Sequence, residues 1–308
     1  MYPELYTFSF WDSTIPVMTF GVCLTIAFGL FYWMLRRLGR KYHVNTAFFS
    51  VNLLPFFLIT FFVSRLLHVL LFLGIPTKSA FLTEYPFWSF FLTPDFFFSF
   101  GGAIVGFLIV FLFIFAKRDP EDRDDALDIV VISGLFATIV GYLGAFLGGQ
   151  TYGVKSEGIF AVDYLNSNFI LADYPRFPIA LFYVFFVLLI FSFCYIVKKL
   201  RPKERGLSAG IGAFLFGVMW FIGEWWNDSS ADNFAYLFGL LTDVKLFNFN
   251  QFLSIGMMLW GSWKVANIIP SPLSDWILEW ADYVSEKLDP VTTYLHKLVK
   301  KIQKKFKR

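Results

Sequence analysis

The chain has 308 residues, is 57% hydrophobic and 22% aromatic with 43 phenylalanines, and only 16% of it is charged. No soluble core of this size hides that much apolar surface, which excludes an ordinary water-soluble globular class. The formal charge of +3 is modest and says little alone; no nucleic-acid partner and no cofactor is expected.

Apolar runs near twenty residues, the length that crosses a bilayer of about 30 Å, recur along the chain. They predict an all-α polytopic membrane protein with seven transmembrane helices near 15–35, 46–74, 96–116, 127–149, 177–197, 207–226 and 249–268. The opening MYPELYTFSFWD has no basic n-region, and no small-x-small site follows the first apolar run. A retained helix rather than a cleaved signal peptide is therefore expected. Cys23 and Cys194 fall within spans one and five and read as packing residues.

Span one is followed by Arg36, Arg37, Arg40 and Lys41, span three by Lys117, Arg118 and Arg123, and span five by Lys198, Lys199, Arg201, Lys203 and Arg205. The opposite loops hold only Lys78, Lys155, Arg176 and Lys245. The positive-inside rule then puts the N-terminus outside and the C-terminus in the cytoplasm. Span two is long and carries Pro55, which predicts a tilt or kink.

Two ionisable side chains within spans stand out, because charge in a bilayer is costly and faces an interior cavity. Arg65 lies in FFVSRLLHVLLF with His68 three residues on, and Glu224 lies near the end of span six in MWFIGEWWND. A guanidinium there is either an anion-binding group or half of a structural pair. Glu224 is either catalytic, lipid-contacting or interfacial beside Asn227 and Asp228. Three scattered histidines assemble no metal site.

Residues 140–153, VGYLGAFLGGQTYG, hold five glycines in fourteen positions, and Gly144 with Gly148 gives a small-xxx-small spacing suited to close helix approach. An external loop of about 150–176 follows. Residues 1–270 form the expected membrane domain, and 271–308 a basic tail. There Trp276, Ile277, Trp280, Tyr283 and Val284, then Leu295, Leu298, Val299, Ile302 and Phe306, recur at helical spacing. Seven of the last twelve residues are Lys or Arg, which predicts an amphipathic helix on the anionic cytoplasmic leaflet.

Six short stretches in order resemble the prolipoprotein diacylglyceryl transferases of bacterial inner membranes, over about residues 15–268. They are VSRLLHVL in span two, SFGGAIVG opening span three, GYLGAFLGGQTYG in span four, PRFPIALF before span five, WFIGEWWN in span six and NQFLSIGM in span seven. The resemblance implies a multi-pass plasma-membrane protein whose cavity opens laterally to phosphatidylglycerol and a lipoprotein signal sequence. It implies transfer of a diacylglyceryl group to a cysteine thiol with release of glycerol phosphate.

Matched residue by residue, Arg65, Gly153, Pro175, Arg176, Pro178, Glu224 and Gln251 coincide with the family pattern, with Gly141 and Gly144 as scaffold positions. The resemblance assigns Arg65, Arg176 and Gln150 to lipid phosphate and Glu224 to catalysis. The family's span-three histidine falls on Gly101, its span-four arginine on Tyr142 and the following asparagine on Ala145. Its glutamate falls on Gln150, its two span-six arginines on Trp220 and Asn227, and its span-one tyrosine on Phe20. Each phosphate-binding cation lost forfeits about 3 kcal/mol of transition-state stabilisation. Three functions remain open: a divergent transferase, a noncatalytic relative that binds lipid or a transmembrane partner, and, more remotely, a transporter or channel. The charge pattern makes its own prediction. A reporter fused after Arg40 or Arg205 should be cytoplasmic and one near Lys155 external, and an external signal at Arg205 would overturn the seven-span topology.

Overall fold

A computed structural model of the chain describes residues 4–10, 13–73, 99–116, 118–164, 174–228 and 248–269. Each of the seven apolar stretches contains a helix. They are α1 (Thr19–Tyr42), α2 (Ala47–Val51) with α3 (Leu53–Leu73), α4 (Phe100–Phe115), α5 (Pro120–Leu147), α6 (Ile179–Leu200), α7 (Leu207–Gly223) and α8 (Phe249–Ala266). Among the described residues, α1, α5 and α6 are long and apolar enough to cross a membrane. The 53–68 part of α3, α4 and α7 are shorter apolar helices. The basic tail, with Lys78, Lys117 and Lys245, lies outside the described residues.

One expectation is corrected. The chain is mostly helical rather than all-α, because Glu4–Phe10 (β1) and Ser13–Met18 (β2) form an antiparallel hairpin in which Phe8 faces Ile15. The β-branched Thr14, Ile15 and Val17 favour an extended chain, and Pro16 is tolerated because a two-stranded ribbon consists only of edges. The helix expected from residue 15 therefore starts at Thr19. Span two is interrupted as its proline leads one to expect: Pro55 has no N–H to return to Val51 four residues back, and the span divides there into α2 and α3. The backbone breaks at Asn52, whose Nδ2 donates to Phe48 O at 2.7 Å, and Pro55 sits in the first turn of α3, where no N–H is needed.

Small residues set the helix spacing. A Cβ on Gly144 would collide with Cys23 of α1, and one on Gly148 would lie 3.3 Å from Phe20 Cβ, so both glycines let α1 and α5 touch. Gly102 and Gly106 do the same for α4 against α3, where a Cβ would lie 2.8 Å from Ser64 Cα and from Thr60 Cα. Gly141 faces open space, so close approach does not explain it. Both cysteines are free thiols.

The ends of α6 and α8 and the start of α5 meet at one pole, which an ionic network holds together. Lys198, expected in a solvated loop, is 1% exposed and lies 2.7 Å from the fully buried Asp128 and 3.3 Å from Asp125. Asp128 also accepts the N–H groups of Gly206 at 3.0 Å and Ala209 at 2.8 Å, capping the start of α7. Arg205 pairs with Glu121 and Asp125, and Lys264 of α8 with Asp124. The opposite pole collects the end of α5, the start of α6, the end of α7 and the start of α8. Removing one member of a buried pair leaves an uncompensated charge and costs about 3–5 kcal/mol. Lys198→Met should therefore lower the thermal midpoint in detergent sharply. Adding Asp128→Asn should recover part of the loss, because the amide oxygen still accepts from the start of α7.

Candidate functional site

The polar residues of the opposite pole are built around Glu224. It is the C-cap of α7 and 5% exposed. Its Oε1 accepts from Trp220 Nε1 and Asn227 Nδ2, both at 3.1 Å, and from Asn250 Nδ2 at 3.2 Å; its Oε2 accepts from Asn248 Nδ2 at 2.6 Å. All four donors are neutral. Asn248 is held in turn by Gln251 in a capping box. The Asn248 side chain accepts the Gln251 N–H at 2.8 Å, and Gln251 Oε1 accepts the Asn248 N–H at 3.1 Å. Gln251 thus reaches Glu224 through the residue it orients.

Arg176 belongs to a second group on the same pole. It is 7% exposed, and its guanidinium pairs with Asp228 and donates to Gly153 O at 3.3 Å. It stacks over the rings of Tyr152 and Tyr174. Burial pushes the nearby Tyr164 phenol up to about 12, against the downward pull of Arg176. The partner of Arg176 in the described network is Asp228 rather than Glu224. The turn after α7 sends the first carboxylate inward and the second towards the loop. Gly153 lies where that turn crosses the loop before α6. Its N–H donates to Phe177 O at 2.9 Å, and a Cβ there would stand 2.6 Å from Phe177 O and 2.8 Å from Trp226 O. Only glycine fits. Gln150 is half-buried just beyond α5, its N–H donating to Ala145 O at 3.0 Å.

Arg65 is buried on α3 and lines a groove of about 440 Å³ together with Leu58, Ile59, Phe61 and Phe62. The neighbouring Ser64 ties α3 to the start of α4, its hydroxyl donating to Ser99 O at 2.7 Å. Of the residues expected at the site, Glu224 and Gln251 are brought together, as are Arg176 and Gly153.

Three positions singled out by the family pattern lie on the inner side of Glu224, and none carries a charge. A Cβ on Gly101 would stand 2.9 Å from Phe249 Cε1, 3.1 Å from Leu253 Cδ2 and 3.3 Å from Asn250 Oδ1, so the start of α8 occupies the room a larger side chain would take. Tyr142 tilts against Tyr183 with ring centroids 4.8 Å apart and lies 5.9 Å from Phe100. Trp220 meets Phe100 at 5.4 Å and Phe216 at 5.8 Å. These five rings form a continuous aromatic cluster with the Glu224 carboxylate at its edge.

Sequence reasoning missed Asn248, Asn250 and Asp228 as partners, and Asp128 as a second buried acid. The Asn-x-x-Gln spacing of 248–251 is a capping signal that points to Asn248. An acid inside the apolar run expected over 127–149 flags Asp128 by the same cost argument that flagged Glu224. Nothing local points to Asn250. Glu224→Gln should lower stability by about 1–3 kcal/mol, because its new NH₂ would face amide donors instead of accepting from them. Thermal unfolding of the two proteins in the same detergent checks this, and an unchanged midpoint would contradict it.

A family model described as prolipoprotein diacylglyceryl transferase matches residues 7–266. Phosphatidylglycerol–prolipoprotein diacylglyceryl transferases of Francisella tularensis subsp. novicida and subsp. mediasiatica are 27% and 28% identical to the chain over 165 and 168 residues. Those stretches cover 53% of this chain and 57% of each relative, so the chain spans little more than half the length of the curated relatives it matches. With the family match running through α1 to α8, the chain belongs to the prolipoprotein diacylglyceryl transferase family.

Proposed function

We propose that this chain is a seven-span protein of a bacterial plasma membrane, with the Glu224 pole outside and the Asp128 pole in the cytoplasm. It keeps the transferase fold as a noncatalytic relative that binds a phosphatidylglycerol-like lipid, a lipoprotein signal sequence or another transmembrane segment. One observation carries this reading: among the described residues, four neutral N–H groups donate to the Glu224 carboxylate beside a packed aromatic cluster.

Diacylglyceryl transfer makes a bond from the cysteine sulfur to the terminal glycerol carbon of the lipid and breaks that carbon's bond to the phosphate oxygen. The thiol proton needs an acceptor, and the departing glycerol phosphate needs cations. A carboxylate whose lone pairs already receive four hydrogen bonds must give some up before it can take a proton. The rings of Tyr142 and Trp220 bring no charge to a leaving phosphate. Arg176 is already engaged by Asp228. The groove lined by Arg65 still suits lipid, since its walls match acyl chains and its guanidinium matches a phosphodiester.

The divergent-transferase reading draws on the same Arg65, Arg176 and Glu224. Purified protein with phosphatidylglycerol and a lipobox peptide separates the two. The expected result is release of glycerol phosphate at background, together with a higher thermal midpoint in phosphatidylglycerol than in phosphatidylcholine, as binding to the native state requires. Release well above background that vanishes in Glu224→Gln would restore the enzyme.

A further inference from the structure

At the cytoplasmic pole a second, polar groove of about 500 Å³ opens beside the end of α1, lined among others by Arg36, Arg40, His43, Asn45, Thr46 and Ser50. Arg36 and Arg40 lie one turn apart and present their guanidinium groups on one face. The Tyr32 hydroxyl and ring hold Arg36 from below, and Arg40 Nε donates to Arg36 O at 3.4 Å.

Arg36 and Arg40 stand outside the ion network that joins α5, α6, α7 and α8 at this pole. Lys198, Arg201, Arg205 and Lys264 each pair with a carboxylate. Among the described residues, Arg36 and Arg40 pair with none, and the groove lining contains no acid. Among the described residues nothing neutralises the pair, so the groove offers two guanidinium groups to an anion. The groove also adjoins an apolar stripe. Directly after Ser50, Val51, Leu54 and Leu58 recur along α2 and α3 at 80%, 66% and 53% exposure, a surface for acyl chains rather than water.

We propose that this groove is a binding site for the phosphate headgroup of an anionic phospholipid of the cytoplasmic leaflet. The two guanidinium groups take the phosphate oxygens, the Thr46 and Ser50 side chains line the rim, and the acyl chains run along Val51, Leu54 and Leu58. The site is separate from the Glu224 pole. It rests on membrane embedding and sidedness but not on whether the outer pole turns over, so this test and the glycerol phosphate assay fail independently.

The full chain is reconstituted into phosphatidylcholine bilayers with a trace of spin-labelled phosphatidic acid, and electron paramagnetic resonance measures the lipid immobilised on the protein. Wild type should immobilise phosphatidic acid in preference to spin-labelled phosphatidylcholine. In Arg36→Gln/Arg40→Gln the preference should fall roughly threefold or more, since both bidentate contacts are lost. The charge-matched control Lys199→Gln/Lys203→Gln should keep it. Inorganic phosphate should not displace the lipid; displacement would assign the groove to soluble phosphate compounds and overturn the lipid assignment. An equal loss in both double variants would reduce the effect to diffuse charge and overturn the site, as would no loss in either.

Discussion

A buried carboxylate in an apolar bundle must have its lone pairs filled, and the way Glu224 meets that demand fixes one whole pole of this protein. Its donors come from α7 itself, from the turn after α7 and from the first residues of α8. Asn248, held by Gln251, and Asn250 tie the start of α8 to the end of α7 in this register. That register aims the 224–228 turn at the loop before α6. There Trp226 O receives the Val154 N–H, and Asp228 catches Arg176. Removing the carboxylate's fit loosens each of these contacts in turn. Asp128 performs the corresponding task at the other pole, where one acid answers both Lys198 and the start of α7. Between the two poles, rings and glycines do the packing.

Much of this was legible in the sequence. The seven apolar stretches mark helices because a hydrophobic run of that length has few other ways to satisfy its backbone. The Gly144/Gly148 spacing marked a close helix approach without naming α1 as the partner, and Gly153 stood out before its crossing point was known. The failures share a cause. Strand β2 runs directly into α1, so hydropathy merged them; only pairing with β1, a contact between separate segments, reveals the hairpin. Lys198 followed an apolar run and read as a loop cation, whereas Asp128, some seventy residues earlier, draws it inside. Arg176 found Asp228 instead of Glu224 because a single turn points two nearby acids in different directions. Asn250 carries no local signal at all. Patterns within one helix were readable, and partnerships between helices were not.

The functional reading follows from the same partnerships. A transferase site must hold unspent capacity: an acceptor for a thiol proton, cations for a leaving phosphate, and room for both substrates. Here the acceptor's lone pairs are engaged by side-chain amides and an indole, the nearest loop cation is paired, and α8 packs against Gly101. Groups arranged this way suit a scaffold, which is the reading proposed above, and in that reading the groove lined by Arg65 is left to take a lipid.

The most direct test is in a living cell. The chain is produced in a bacterium depleted of its own diacylglyceryl transferase, with membrane insertion of the full-length protein verified, and the mass of a reporter prolipoprotein is measured. The account predicts that the reporter accumulates at the mass of its unmodified precursor. A reporter heavier by one diacylglyceryl group would contradict it.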